Sequence, residues 1–318
     1  MSSSGLSVRT VTVDSIDRLQ EAVPGADLDV VQLEAGRQKG TLTQLGSPSL
    51  ACSLLSFSLG IRSRGVFGRE NVTLWMLVDR AAKVREWSCD VEVGDVVCLP
   101  PGADHEGFYL GATRYAALSL NPADLAAAVD AEPALRDPGF WTVRQLWHHP
   151  QAAGHHETNY LASTLAGLEA ATADLSPQAA DFWQREVVES FVSVILNASS
   201  AQPLDILRSP ERLVRDVERF FDEHATRPVH VSEICTELRV SRRSLYRAFT
   251  EVTGIGAMTF LRRKRLSRAH VALRHAAGER QSVTQIALEN GFAELGRFSR
   301  QYWSMFGEFP SETLRFRY

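Results

Sequence analysis

The sequence predicts an α+β chain of more than one domain: a β-barrel first, a helical segment in the middle, and an all-α domain of two helix-turn-helix units at the end. Three observations carry this. Between Leu28 and about Leu120, short apolar segments are separated by turn signals such as Gly36, Gly46, Gly65, Gly94 and Pro100-Pro101-Gly102, the texture of a sandwich or barrel. After Asn121, helix caps and helical spacing replace the turns. From Ser209 onward, apolar residues step by three and four through two groups of short helix, turn and helix. The expected divisions are a β-barrel over 1–150, a helical linker or dimerisation segment over 151–204, and the double helix-turn-helix domain over 209–318.

Length and composition agree. A chain of 318 residues suggests two domains and is ample for at least one full core. No apolar run approaches the roughly 18 residues of a membrane span, and the start, Met1-Ser-Ser-Ser-Gly5, lacks the basic flank and apolar core of a signal peptide. The four cysteines (Cys52, Cys89, Cys98, Cys235) are scattered, with no CxxC, which argues for reduced thiols in the cytoplasm and against a disulfide frame or zinc site. The net charge of −4 hides an asymmetry. Residues 208–318 hold 20 Lys+Arg against 13 Asp+Glu, a net of +7, and the remainder is −11. A basic block beside an acidic one is expected where one domain meets a polyanion and the other does not.

In chain order, a short helix is expected at Ser15–Ala22, then strands at Asp29–Leu33, Leu50–Leu59, Val72–Val78 and Tyr115–Leu120. The stretch Gly94-Asp-Val-Val-Cys-Leu-Pro100-Pro-Gly102-Ala-Asp-His105 resembles the second cupin motif: a tight turn, a buried strand, and a Pro-Gly turn into the next strand. In metal-binding cupins the histidine joins ligands from an upstream His-x-His motif, yet residues 50–87 contain no histidine. A three- or four-ligand site therefore cannot be assembled, and no metal or cofactor is expected. His105 is expected to be a loop or lining residue. The same region holds Arg37, Lys39, Arg62, Arg64 and Arg69, with Trp75 and Trp87 nearby in sequence. These cations are either solvated strand edges or an anionic-ligand site, since guanidinium forks suit carboxylate and phosphate. The candidate effector residues are Arg37, Lys39, Arg62, Arg64, Arg69, Trp75 and His105.

Asn121-Pro122 opens a short helix with cap and proline in order. Two longer helices are expected over 155–173 and from Ser176 to about Ala198, the second with Phe182, Val187, Phe191, Val194 and Ile195 at helical spacing. They either pair with a second copy of the chain, the favoured expectation, or pack on their own barrel. His148, His149, His155 and His156 are expected to be solvated loop residues, and Ser199–Pro203 a linker.

The C-terminal third carries the most specific text. A first helix shows Val214, Val217 and Phe221 on one face, and a short helix follows through Val231, Ile234 and Leu238. After a turn at Arg239-Val240, Ser241 caps a helix with Leu245, Phe249 and Val252 inward and Arg242, Arg243, Ser244, Tyr246 and Arg247 outward. Two short helices, a tight turn and an Arg/Tyr face form a recognition unit. A long helix from Met258 to about His275 carries Arg262-Arg263-Lys264-Arg265, expected to touch phosphate through Arg262 and Arg263 or to tether the units. Ser282 and Gln285 then make a capping box, and Glu289-Asn290-Gly291 is the second turn. Phe298, Tyr302 and Phe306 face inward, leaving Leu295, Gly296, Arg297, Ser299 and Arg300 toward DNA.

At this point residues 209–318 resemble the DNA-binding domain of AraC/XylS-family transcription regulators. The resemblance rests on Ala287, Gly291-Phe292, Phe298-Ser-Arg300, Tyr302, Phe306-Gly307 and Pro310-Ser311, and on Ser241–Phe249 of the first unit. It covers about a third of the chain; the cupin-like region fits the family's usual N-terminal effector domain more loosely. The resemblance implies that both reading helices enter successive major grooves on one face of promoter DNA. Base reading then falls to Arg243, Tyr246 and Arg247, and to Leu295, Gly296, Arg297 and Arg300. It also implies an effector in the N-terminal domain, a homodimer, and RNA polymerase as a partner if the protein activates. The family commonly has Gly where this chain has Arg239, a departure worth about 1 kcal/mol if φ there is positive, and Ala where this chain has Cys235. With no polar side chain at Leu295 or Gly296, the second unit is expected to make phosphate and shape contacts more than base hydrogen bonds. Two other readings are a regulator sensing a phosphorylated or dinucleotide messenger through the arginine cluster, and a cupin-type metalloenzyme fused to a DNA-binding domain, against which the missing ligand motif argues.

Overall fold

Side-chain alternation explains why the central strands read as almost unbroken apolar runs. The computed structural model describes residues 7–20, 25–46, 50–129, 133, 135–149, 160–161, 163–164, 167, 176–204, 208–224, 227, 229–276 and 281–315. The N-terminal part comprises β1 (Ser7–Val13), α1 (Ile16–Gln20), β2 (Asp27–Gln32), β3 (Gly40–Gly46), β4 (Leu50–Phe57), β5 (Ile61–Val66), β6 (Val72–Arg80), β7 (Val84–Glu86), β8 (Cys89–Val91), β9 (Val96–Leu99), β10 (Asp104–Tyr109) and β11 (Thr113–Leu120). Then come α2 (Pro122–Ala128), a 3-10 turn (Pro138–Thr142), β12 (Gln145–His148), α3 (Pro177–Leu196) and β13 (Ser200–Pro203). One antiparallel sheet runs β1-β3-β4-β11-β6-β9-β12-β13 and the other β2-β5-β10-β7-β8. On β6, Trp75 and Leu77 point between the sheets while Leu74 and Met76 point out under a helical layer. Both faces of this strand are buried, so both positions of its two-residue period are apolar.

That helical layer settles how the middle segment packs. Val187, Val188, Phe191, Val194 and Ile195 of α3 join one core with Leu74, Met76, Val96, Cys98 and Leu118 on the outside of the larger sheet. The expected inward stripe is thus used against the chain's own barrel, although Phe182 is 55% exposed. The helix expected over 155–173 lies largely outside the described residues, as do His155 and His156. Two expectations are corrected. Ser199–Pro203 is not a free linker: residues 200–203 pair antiparallel with β12 as an edge strand, where a terminal proline is tolerated. His148 and His149 are not free loop residues: His148, half-buried on β12, has its Nδ1 2.8 Å from Asp95 Oδ2, and His149 is buried against the Val194 carbonyl.

The C-terminal part is α4 (Ser209–Glu223), α5 (Val231–Glu237), α6 (Arg242–Thr253), α7 (Ala257–His275), α8 (Val283–Glu289), α9 (Leu295–Phe306) and α10 (Pro310–Arg315). The pairs α5–α6 and α8–α9 are the two units. Ser241 Oγ accepts from Ser244 N (3.0 Å) and Ser282 Oγ from Gln285 N (3.1 Å), satisfying otherwise orphaned first-turn donors. Only half the expected capping box forms, because the Gln285 amide reaches Glu289 instead. The two turns are built alike, Val240 N donating to Cys235 O and Phe292 N to Ala287 O. Gly291 has φ +74° there and Arg239 has φ +53°, so the arginine holds a left-handed conformation that suits glycine. Among the described residues, no helix is long and apolar enough to cross a membrane.

The two parts share their cores. Val31, Leu33 and Phe108 on the outside of the smaller sheet pack with Val214, Val217, Phe221, Leu245 and Phe249 of the first unit. Leu266, Ala269 and Leu273 of α7, with Tyr302 and Phe306 of the second unit, join the barrel's other cluster. Polar groups stitch this seam. Arg62, 1% exposed, lies over the Phe108 ring, pairs with Glu106, and donates to Glu218 on α4 (2.8 Å). Lys264 on α7, fully buried, sits 3.2 Å from Glu218 and Asp222 and 3.3 Å from Asp29 on β2. Burial pushes the Glu218 carboxyl up, but Arg62 and Lys264 outweigh it and hold it below its ordinary value. His270 bridges the parts as well, Nε2 to Ser15 Oγ (2.5 Å) and Nδ1 to Tyr302 OH (2.6 Å), and Tyr302 donates to Thr313.

Arg239→Gly relieves left-handed strain of about 1–2 kcal/mol while loosening the unfolded chain by about 0.4–1 kcal/mol. Denaturant unfolding is expected to show a net gain of roughly 0.5–1 kcal/mol, and an unchanged or lower stability contradicts the strain. Burial pushes His270 down to about 4 from its ordinary 6.5. Between those values the unfolded chain holds the proton and the folded chain does not, so stability is complete above 6.5 and lost as pH falls toward 4. Roughly 2 kcal/mol of the loss between pH 7 and pH 5 is assigned to His270, and should be missing from His270→Asn. An identical pH slope in that variant argues against it.

Candidate nucleic-acid interface

The reading helices turn their cations outward because their apolar stripes are taken up by the core. On α6, Leu245, Ala248, Phe249 and Val252 are buried while Arg242, Arg243, Tyr246 and Arg247 are exposed. None of these three arginines makes an ion pair among the described residues, leaving three guanidinium groups and a phenol on one open face. Ser244 is half-buried with its Oγ 2.9 Å from that of Ser241, so it completes the cap and is a poorer candidate for a DNA contact.

On α9, Phe298, Tyr302, Met305 and Phe306 are buried. Leu295, Gly296, Arg297 and Arg300 are exposed and Ser299 is half-buried. Arg297 pairs with Glu294 at 4.0 Å, and Arg300 Nε bonds the Gly296 carbonyl of its own helix at 3.4 Å. Reading from sequence missed Trp303, 53% exposed and in ring contact with Phe309. The signal was available: Trp303 lies one turn beyond Ser299 and Arg300, off the stripe of Phe298, Tyr302 and Phe306.

The basic run on α7 divides by direction. Lys264 is sealed in the seam, and Arg265 lies over the Phe221 ring and donates to the Arg227 carbonyl. Arg262 is exposed and Arg263 half-buried. Both line a cleft of about 490 Å³ with Arg297 and Arg300. Burial lowers the Arg263 guanidinium from its ordinary value, and neighbouring Arg262 adds to that shift.

The candidate effector residues do not converge. Arg62 and Arg64 point from β5 toward α4: Arg62 is consumed in the seam, and Arg64 lies 3.4 Å from Glu106. Arg37 reaches the Gly307 carbonyl at 3.2 Å, while Lys39 and Arg69 are exposed. Trp75 and His105 are inside the barrel. His105 Nδ1 lies 2.9 Å from Glu86 Oε1, with its ring edge-on to Phe67. Trp75 packs with Tyr109 and Tyr115, and burial pushes both phenols up. Trp75 Nε1 and Glu86 Oε2 are buried with no hydrogen-bond partner among the described residues. Glu86, Tyr109 and Tyr115 were missed from sequence because nothing local marks which strand face turns inward. No group of three His, Cys, Asp or Glu side chains among the described residues stands close enough to hold a metal ion.

Comparison with known proteins points the same way for the C-terminal part. Residues 234–315 match a family model described as a helix-turn-helix domain. Over 98 residues the chain is 36% identical to the XylDLEGF operon transcriptional activator 2 of Pseudomonas putida, covering 31% of this chain and 62% of that one. Over 103 residues it is 35% identical to the probable thc operon regulatory protein of Rhodococcus erythropolis, covering 32% and 31%. The chain thus spans less than two thirds of the length of these relatives. Among solved structures, a probable AraC family transcriptional regulator from Rhodopseudomonas palustris CGA009 is 38% identical over 33% of this chain and 95% of that one, with a TM-score of 0.30. ToxT from Vibrio cholerae O395 is 14% identical over 98% and 97%, with a TM-score of 0.33.

Proposed function

The C-terminal domain belongs to the AraC/XylS type of helix-turn-helix domain, and on that premise we propose that the whole chain is a cytoplasmic, sequence-specific DNA-binding activator of transcription governed by its N-terminal β domain. The observation that carries this is the open face of α6, where Arg243, Tyr246 and Arg247 are exposed and the arginines make no ion pair among the described residues. Guanidinium groups on a helix narrow enough for the major groove suit guanine edges and phosphates. α9 is the second reading helix and contributes Arg297 and Arg300 beside Leu295, Gly296 and Trp303. RNA polymerase is the partner that activation requires. A homodimer would form on the outer side of α3, since its inner side is taken up by the sheet. The chain performs no catalysis on this reading.

The effector is a small molecule held between the two sheets. Trp75, Tyr109 and Tyr115 supply aromatic walls there, and the unpartnered Trp75 Nε1 and Glu86 Oε2 supply a donor and an acceptor. Sensing of a phosphorylated messenger through the barrel's arginines is disfavoured, because Arg62 is committed to Glu106 and Glu218.

Arg243→Ala is expected to weaken binding to the cognate promoter by about 1–3 kcal/mol and to relax preference at one base position, measured by fluorescence anisotropy against cognate and scrambled duplexes. Unchanged binding in the Arg243→Ala/Arg297→Ala double variant would overturn the assignment of the reading helices.

A further inference from the structure

The cations of α7 are matched to partners everywhere except on one side. Lys264 has Glu218, Asp222 and Asp29; Arg268 has Asp29 and Asp222; Arg274 has Asp14 and Asp17. Arg262 and Arg263 have no ion pair among the described residues, and they share a cleft of about 490 Å³ with Arg297 and Arg300 of α9. A second cleft of about 610 Å³ shares Arg262, Arg297 and Gln301 with the first and runs on to His230 at the start of α5. The two adjoin along Arg262, Arg297 and Gln301 and make one trough that runs along α7 and α9 to the start of the first unit. Four guanidinium groups lining one cleft repel one another unless an anion stands between them. The carboxylate that tempers Arg263 is Glu34, which already accepts from Gly60 N at 2.8 Å. Ala35 also lines the cleft, and the adjacent Gly36 N–H bonds the Met305 carbonyl of α9 at 2.8 Å.

We propose that this cleft is a phosphate seat in which Arg262, Arg263, Arg297 and Arg300 act as a set on one phosphate group. The elongated trough, running from the second unit to the start of the first, favours a phosphodiester of the DNA strand crossing from one major groove to the next; a free phosphate ester has the same chemistry. The seat deepens, and rests on, the DNA-binding function proposed above. It gives the arginines of α9 a different task from those of α6: they grip the backbone, and base contact on α9 is left to Leu295, Gly296 and Trp303.

The test uses the full chain, with Arg262→Ala/Arg263→Ala and the charge-preserving Arg262→Lys/Arg263→Lys. Affinity for cognate and scrambled duplexes is measured across salt concentration, and thermal stability without DNA is measured with pyrophosphate against chloride at equal ionic strength. A DNA seat on one phosphate predicts that the alanine pair flattens the salt slope by up to about one. Its affinity loss between 50 and 200 mM salt is then roughly 3–4-fold smaller than wild type, cognate and scrambled duplexes weaken by the same factor, and the lysine pair restores most of the slope. A free-ester seat predicts saturable stabilisation of wild type by pyrophosphate that the alanine pair abolishes. An unchanged slope together with no pyrophosphate response overturns the proposal. If the wild-type chain binds no DNA, the DNA-binding reading fails on its own, and the pyrophosphate measurement still decides the seat.

Discussion

The buried charge network of Arg62, Glu218 and Lys264 is the constraint on which the rest of the structure depends. It joins a strand of the barrel, the helix leading into the first unit, and the helix connecting the two units. Removing one partner of such a network leaves a buried charge uncompensated and costs about 3–5 kcal/mol, while the intact network adds far less than its Coulomb energy suggests, because desolvation opposes it. Its effect is therefore geometric. With apolar clusters on both sides of it, the network holds both helix-turn-helix units against one barrel.

A seam of this kind would govern the action of any ligand bound between the sheets. A ligand between the sheets shifts the DNA-binding units only through a difference in its affinity for two arrangements of the seam. The chain Ser15–His270–Tyr302–Thr313 offers a route from the residue just ahead of α1, beside the barrel, into the second reading helix. Arg37, bonded to the Gly307 carbonyl at the end of α9, offers another. The shared core also means that the N-terminal part does not present its native surface when cut away, so ligand screens belong on the full chain.

The C-terminal units were legible in the sequence because their determinants are local. Caps at Ser241 and Ser282, the turn at Gly291 and the stripe of Phe298, Tyr302 and Phe306 all lie within a few turns of one another. Even the strained Arg239 was visible as a departure from glycine. What was not legible depends on pairing across long separations. The segment 200–203 is polar and short and reads as a linker, yet β12 supplies a ladder partner more than fifty residues earlier in the chain. The cations of the barrel appeared as one cluster because they are near in sequence. Strand alternation sends Arg62 outward into the seam and Trp75 inward, and nothing local says that helices cover the outer face. His148 and His149 were misjudged for the same reason: Asp95 and Val194 are distant in sequence.

The most direct measurement is hydroxyl-radical footprinting of the full chain on its own promoter. If α6 and α9 both engage DNA from one rigid platform, two protected patches are predicted on one face of the duplex, about 10 base pairs apart. Protection of a single groove, or of none at concentrations that saturate binding, would contradict it.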